Sequence, residues 1–564
     1  MKPSGNRILA RFGWFCLITF FAIATKAQPC DTIIEGNPGV YTLIRGSQLP
    51  GIGPGSTICL KGGKYYQIKI DGINGEPGNP VIIRPYQSEV IIDTTSHYGI
   101  RLGLSSHILL DGSLDGIPYG IRILKTKGVG ISIDELSTEI EIKNIEVSNT
   151  GQSGIMAKTD PDCSFQSVRD SFLMRNIRIH HNYLHHIGYE GMYIGNVYYD
   201  GKTIQCNGVD TVVLPHLLEG VYIYNNYIYK TGYDGIQVSG VIKDCYIFQN
   251  QVFNDSELKK YGQMSGIITG KGSLCDCYNN TIANGAGTGI EIHGASGTRV
   301  FNNLIIEPGR SYRPLTQGTY SRPGIFVGYN LPGQAVLPYR FFNNTIFRPK
   351  SEGIRFSNVN STHNEFYNNI IVDPGIWHFF DSAGLNPLNA FINVNVQVSY
   401  TDDKNFKTRN IEDPMFVSPE ELNYMIQPGS PCIDMGRDLS SHGLVFDLNN
   451  APRPWGNGFD AGAYEYYPGQ EIREETIEQP FGYLVYKPAL SQLEVVLNQP
   501  EPSSLLFSVY NISGQLIHKV VWQTTSFPAI SLPVPALKPG IYILRIVSHT
   551  RQMVFKFLVQ PNTN

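Results

Sequence analysis

Residues 223–236 read Ile223-Tyr224-Asn225-Asn226-Tyr227-Ile228-Tyr229-Lys230-Thr231-Gly232-Tyr233-Asp234-Gly235-Ile236, and the phrase decides the fold because it recurs. Its Asn recurs as Asn182, Asn226, Asn250, Asn280, Asn303, Asn344 and Asn369, and its Gly as Gly191, Gly235, Gly266, Gly289, Gly324, Gly353 and Gly375. In four of these seven pairs the Gly follows the Asn by nine residues (182 to 191, 226 to 235, 280 to 289, 344 to 353). An eighth copy has Ile145 at the Asn position and Gly154 nine later. Three before the Asn stand Ile142, Ile179, Ile223, Ile247, Cys277, Val300, Phe341 and Phe366; two after it, another apolar column runs from Val147 to Ile371. Short segments with alternating apolar residues at a repeat of tens of residues predict a solenoid of short strands, not helices. One coil cannot bury its own apolar face, so coils must stack about 4.8 Å apart. An Asn at the same bend of every coil can then hydrogen-bond to the next coil's backbone and to the next Asn.

This repeat resembles the right-handed parallel β-helix of the pectin-lyase-like superfamily. The expected fold is therefore all-β, a right-handed parallel β-helix (solenoid) followed by a small C-terminal β-sandwich. Gly55-Ser56-Thr57-Ile58-Cys59-Leu60, Gly62-Gly63-Lys64-Tyr65 and Asn79-Pro80-Val81-Ile82-Ile83 resemble the opening of secreted β-helix proteins, polysaccharide lyases among them. Val90 to Ile92, Ile108 to Leu110 and Ile121 to Leu124 are expected to be early coils.

At the N-terminus Lys2, Arg7 and Arg11 precede an apolar run from Phe12 to Ala24 and the small-residue ending Thr25-Lys26-Ala27, so residues 1–27 read as a secretory signal peptide with no membrane span remaining after its removal. Cys16 lies inside that run without the small residues of a lipoprotein site, so no lipid anchor is expected. Export leaves eight of the nine Cys where disulfides persist. Cys245 and Cys275 both lie five before their Asn and could bridge adjacent coils or remain buried thiols; Cys163 could pair with Cys206 in two insertions, and Cys30 with Cys59.

The solenoid with its N-terminal cap is expected over 28–412, a C-terminal cap over 413–467 and a linker over 468–482. The cap segment, with Gln427-Pro428-Gly429-Ser430-Pro431-Cys432 and Asp460-Ala461-Gly462-Ala463-Tyr464-Glu465, resembles the terminal segment of bacterial surface β-helix proteins. Asp434, Asp447, Asp460 and Glu465 there suit backbone capping better than calcium. Residues 483–564 change to short alternating strands, Leu493 to Leu497, Leu505 to Tyr510, Leu516 to Val521, Ile541 to Val547 and Val554 to Val559, which predict a β-sandwich. Val485-Tyr486-Lys487-Pro488-Ala489, Val509-Tyr510-Asn511-Ile512-Ser513-Gly514-Gln515 and Pro539-Gly540-Ile541-Tyr542 resemble the C-terminal sorting domain of the type IX (Por) secretion system of Bacteroidetes. That resemblance implies the type IX machinery as a partner and a secreted or outer-membrane surface location.

Solenoids carry function where exposed residues of successive coils line up. Aligned by Gly, Glu190 and Asp234 become neighbours, Tyr189 meets Tyr233, His186 meets Lys230, and His185 stands beside Tyr229. Two close carboxyls would raise one pKa or recruit a cation. Glu190, Asp234, His186 and Lys230 are therefore the catalytic candidates, for glycoside hydrolase or uronate lyase chemistry, with calcium at Glu190 and Asp234 as a candidate cofactor. Tyr189, Tyr233, Tyr193, His185, Glu291, His293 and Arg355 are the candidate sugar-binding residues. Ordinary exposed turns explain each of these residues taken singly. Insertions at 157–175, 195–218, 254–264 and 306–322 are expected to wall the site. Neither the paired-Asp, Gly-His-Gly and Arg-Ile-Lys set of polygalacturonases nor the Lys and Arg pair of chondroitinase B or alginate lyases is recognisable. A net charge of −4 gives no argument for nucleic acid. A monomer that binds and degrades extracellular polysaccharide, and a non-catalytic adhesin or structural rod, both remain open.

Overall fold

The computed structural model describes residues 30–115, 117–310, 312, 321–328, 336–375 and 391–467, and from 482 onward chiefly the strands up to 559. The signal peptide and linker residues 468–481 lie outside the described residues. Strands stack in parallel into a 23-stranded and a 12-stranded sheet, and no α-helix occurs among the described residues. The larger sheet bends at the Asn turns, so each coil has three strands: sheet A before the Asn, sheet B after it, and sheet C at the Gly. The chain is a parallel β-helix, as the repeat predicts.

One coil shows why. Ile223 in sheet A, Ile228 in sheet B and Ile236 in sheet C all point inward and are fully buried. Each isoleucine so buried contributes about 1.5–3 kcal/mol. The same three columns fill one continuous core from Ile44 to Ile371. Glycine opens sheet C because that backbone crosses close to the next coil. A Cβ on Gly235 would lie 2.4 Å from both the Gly266 carbonyl oxygen and Val252 Cγ1.

The bend between sheets A and B uses two residues. The first takes positive φ, at Asn225 (52°), Asn279 (53°), Asn302 (53°), Asn343 (51°) and Asn368 (58°), a conformation Asn tolerates better than most residues. The second forms the ladder. Asn250 Nδ2 donates to Asn280 Oδ1 (3.0 Å), and Asn280 Nδ2 donates to Asn303 Oδ1 (3.0 Å), with the same link repeated from Asn182 to Asn369. The ladder runs one coil further than its sequence signature, to Asn405. Asp402, not an apolar residue, stands three before that Asn and hides it. Gly375 is not the Gly of its coil: the third strand there is Ile392–Val394, paired with Ile354–Phe356, and Phe391 occupies the Gly position.

All three Cys pairs are disulfides: Cys30–Cys59, Cys163–Cys206 and Cys245–Cys275. Residues 413–467 do more than close an end, because they run as a strap along the A–B corner. The strap's Phe416, Tyr424, Ile426 and Tyr464 pack on Leu304, Ile306, Phe347 and Ile370 of sheet B, while Asn279, Asn302, Asn343 and Asn368 donate side-chain hydrogen bonds to its carbonyls at Asp447, Phe446, Asp460 and Arg437. Asp434, Asp447, Asp460 and Glu465 accept strap backbone N–H groups. Beyond residue 482 lie antiparallel sheets of three and four strands. They include Gly482–Lys487 and Ala529–Pro533, which the alternation had not marked.

Candidate functional site

The outer face of sheet C forms a floor one residue wide per coil: Tyr193, Gln237, Ile268, Glu291, Phe326 and Arg355, in register. Insertions rise on both sides of it. At the corner leaving sheet C, 157–175 and 195–218 are joined by the Cys163–Cys206 disulfide, and Lys202–Cys206 pairs with Val209–Val213 as a hairpin. Asp160 ties this wall to the floor by accepting from Lys158 (3.0 Å), Lys202 (3.1 Å) and Asn196 (2.9 Å), and Lys158 lies 4.8 Å from the Tyr193 ring centroid. At the corner entering sheet C, 254–264 forms the opposite wall and carries Asp255.

Four carboxyls gather between these walls, and their surroundings separate their protonation. Asp234 is fully enclosed, and neither carboxyl oxygen makes a well-formed hydrogen bond. Burial, then the nearby charges of Glu291, Glu190 and Asp255, push its pKa well above the carboxylate range, against only a weak pull from the Ser265 backbone N–H. Glu190, one coil back, accepts from Ser153 Oγ at 2.8 Å, yet burial still raises its pKa. Burial also raises Asp255, to about 6. Glu291 goes the other way. Burial opposes its ionisation, but the hydrogen bond and charge of His293, the Ser265 hydroxyl and the charge of Arg322 together hold its pKa below the ordinary value. Its two oxygens are fixed separately, one 2.6 Å from His293 Nε2 and the other accepting from Ser265 Oγ at 2.7 Å. Neighbouring carboxyls pushed in opposite directions are the arrangement from which acid–base pairs are built.

The candidates divide. Glu190, Asp234, Tyr193, Glu291, His293 and Arg355 share the sheet C face. Tyr189 and Tyr233 stack at 4.5 Å and 8° on its rim, so each has used one ring face on the other. His185, His186 and Lys230 belong instead to a network on sheet B. His185 Nε2 lies 3.2 Å from Glu146, which also holds Arg122; His186 Nδ1 lies 2.9 Å from His185 Nδ1; Lys230 sits 5.3 Å over the Tyr229 ring. No interaction of that network includes Glu190 or Asp234. The flanking pairs His185 with Tyr229 and Ile187 with Thr231 set His186 level with Lys230, both at positive φ, but the coil turns a corner between these residues and Glu190. Glu190 and Glu291 are three coils apart, about 14 Å along the stack, too far to flank one glycosidic bond. Sequence alignment missed Asp255 and Ser265: the first lies in an insertion without periodicity, and the second was only one more small residue in the Gly-preceding column.

Calcium takes six to eight oxygens. Among the described residues no group of three or more His, Cys, Asp or Glu side chains is placed to hold a metal ion.

Residues 129–305 match the family model described as right handed beta helix region, and residues 487–560 match the secretion system C-terminal sorting domain. No curated protein matches the chain. Among solved structures, the chain resembles pectate lyase Pel9A (14% identity, 78% of this chain and 98% of that chain, TM-score 0.41). It also resembles an alginate lyase from Paenibacillus sp. str. FPU-7 (12% identity, 56% and 95%, TM-score 0.37) and XylC in complex with xylose (10% identity, 76% and 98%, TM-score 0.35).

Proposed function

We propose that this right-handed β-helix, which its type IX sorting domain directs to the cell surface or extracellular space, holds an extracellular polysaccharide along sheet C and cleaves it by acid–base chemistry centred on Glu291 and His293. The supporting observation is the contrast between Asp234 and Glu291: a fully buried carboxyl whose pKa burial pushes well above the carboxylate range, and a partly exposed carboxyl held below it and oriented at both oxygens. Glu291 and His293 are the groups that can meet a sugar. Asp234 acts through them as a positioning residue, and Glu190 supports the face one coil beyond. The unbroken Asn ladder favours a second reading, a durable rod that binds without cutting.

The purified chain, incubated with a polysaccharide panel, is read for reducing ends and for unsaturated product, with calcium and with chelator. Glu291→Gln and His293→Ala are expected to lower turnover about 100-fold or more while leaving glycan retention intact. Retention without turnover in the native chain would select the rod. A panel that is neither bound nor cut would remove the proposal.

A further inference from the structure

The groove's charge distribution says which polysaccharide it takes. From Tyr193 to Arg355 the floor presents an aromatic, an amide, an aliphatic, one carboxylate, an aromatic and one guanidinium. Its two charges are internally paired, Glu291 with His293 at 2.6 Å and Arg355 with Glu352 at 3.8 Å. Apart from Lys259 and Lys260, exposed on the 254–264 wall, the described cations beside the groove are committed as well. Lys158 and Lys202 both bind Asp160, Lys271 binds Asp200 (2.5 Å), and Arg322 is buried, donating to the Ser321 carbonyl and the Met264 sulfur above the Tyr312 ring. Between the walls stand Glu190, Asp234, Asp255 and Glu291. Asp234, nine-tenths buried and more, has only the weak pull of the Ser265 backbone N–H on its carboxyl. A site whose burial and neighbouring charges already push its own carboxyls away from the ionised form disfavours the carboxylates of a polyuronate for the same reasons, and its floor cation is already paired.

We propose, resting on the function above, that the groove takes an uncharged polysaccharide and excludes polyuronates. The bond-breaking step is then hydrolysis. On a glucan, xylan, mannan or galactan no ring proton lies alpha to a carbonyl group, so none is acidic enough for elimination. Water's oxygen bonds to the anomeric carbon, the bond from that carbon to the bridging oxygen breaks, and the bridging oxygen gains a proton, so one water is consumed and a reducing end and a hydroxyl are made.

The test holds the sugar backbone constant and changes only its charge. The full chain is titrated at low ionic strength against polygalacturonate, against the same polymer with its carboxyls methyl-esterified, and against uncharged glucan, xylan, mannan and galactan. Binding to at least one uncharged polymer, at least tenfold tighter than to polygalacturonate, is expected, with reducing ends released and no unsaturated product. Phe326→Lys, which adds an unpaired cation to the floor, is expected to narrow that ratio. Polygalacturonate bound as tightly as the uncharged polymers, or cut to unsaturated ends, overturns the inference and leaves the polysaccharide function standing. Failure to bind any polymer overturns both.

Discussion

Asn280→Ala tests the ladder as the device that holds the solenoid's corner. Asn280 is fully buried, and its side chain makes five hydrogen bonds: from Asn250 N and Nδ2 (both 3.0 Å), to the Ile247 carbonyl (2.9 Å), to Asn303 Oδ1 (3.0 Å) and, weakly, to Cys277 Sγ (3.5 Å). Truncation leaves the Asn250 N–H and the Ile247 carbonyl without side-chain partners. Asn303 Oδ1 keeps the Asn280 backbone N–H, and Asn250 Nδ2 keeps the Ile223 and Phe248 carbonyls. Two buried orphans at about 1–3 kcal/mol each set the expected loss at about 2–6 kcal/mol. Asn405→Ala, at the less buried end of the same ladder, lets water replace what is lost and is expected to cost about 1 kcal/mol. The assay is native-state amide exchange of coil amides with denaturant titration, because long repeat arrays need not unfold in one step. Loss of protection should centre on the coils of Asn250, Asn280 and Asn303. If Asn280→Ala costs no more than Asn405→Ala, the corner is held by its apolar columns and the ladder is incidental.

Further outcomes follow from individual contacts. Arg453 and Glu465 form a fully buried ion pair at 2.8 Å, and Arg453 also donates to the Asp460 and Gly462 carbonyls; Arg453→Ala should destabilise the strap by about 3–5 kcal/mol and expose 413–467 to limited proteolysis before the coils are cut. The pKa of Asp255 is raised in the fold to about 6 from 3.8, so the folded state holds a proton that the unfolded state releases between those values. Stability relative to Asp255→Asn should therefore be level below about pH 4, fall as pH rises to about 6, and level off above it, as read by denaturation at fixed pH. Cys163→Ser with Cys206→Ser should weaken glycan binding by loosening the wall while leaving the coil melting unchanged.

The fold was legible because its signals are periodic and buried. Apolar columns, Asn and Gly each serve one stacking requirement repeated every coil, so spacing alone places Glu190 beside Asp234 and Tyr189 upon Tyr233. Legibility fails where the requirement is met once. Asn405 continues the ladder behind an acidic residue that the last coils expose, and Phe391 fills a Gly position because only the solenoid's end has room for it. The site suffers most. Alignment ranks residues by register, whereas the carboxyls gather across register, Glu291 reaching back to Ser265 and Asp255 entering from a wall. His186 and Lys230 lie level on adjacent coils, between pairs that are in register, and still belong to another sheet, since a coil turns a corner that a column of letters does not record.

The doubled Asn carries the same lesson into the strap. Ladder Asn residues spend their side chains inside the stack, but the preceding residue, turned outward by its positive φ, presents an amide at each corner. From Asn279 to Asn368 four of these amides bind strap carbonyls, while sheet B beside them is apolar enough to need cover. On earlier coils the same outward position holds His181, Asn225 and Gln249, with the half-buried sheet B residues Tyr229 and Lys230 beside it. Strap and bare corner therefore differ in the residues flanking a conformation they share. The chain marks in its own sequence how far back the strap can lie, and it leaves sheet C, the face with the carboxyls, uncovered by it.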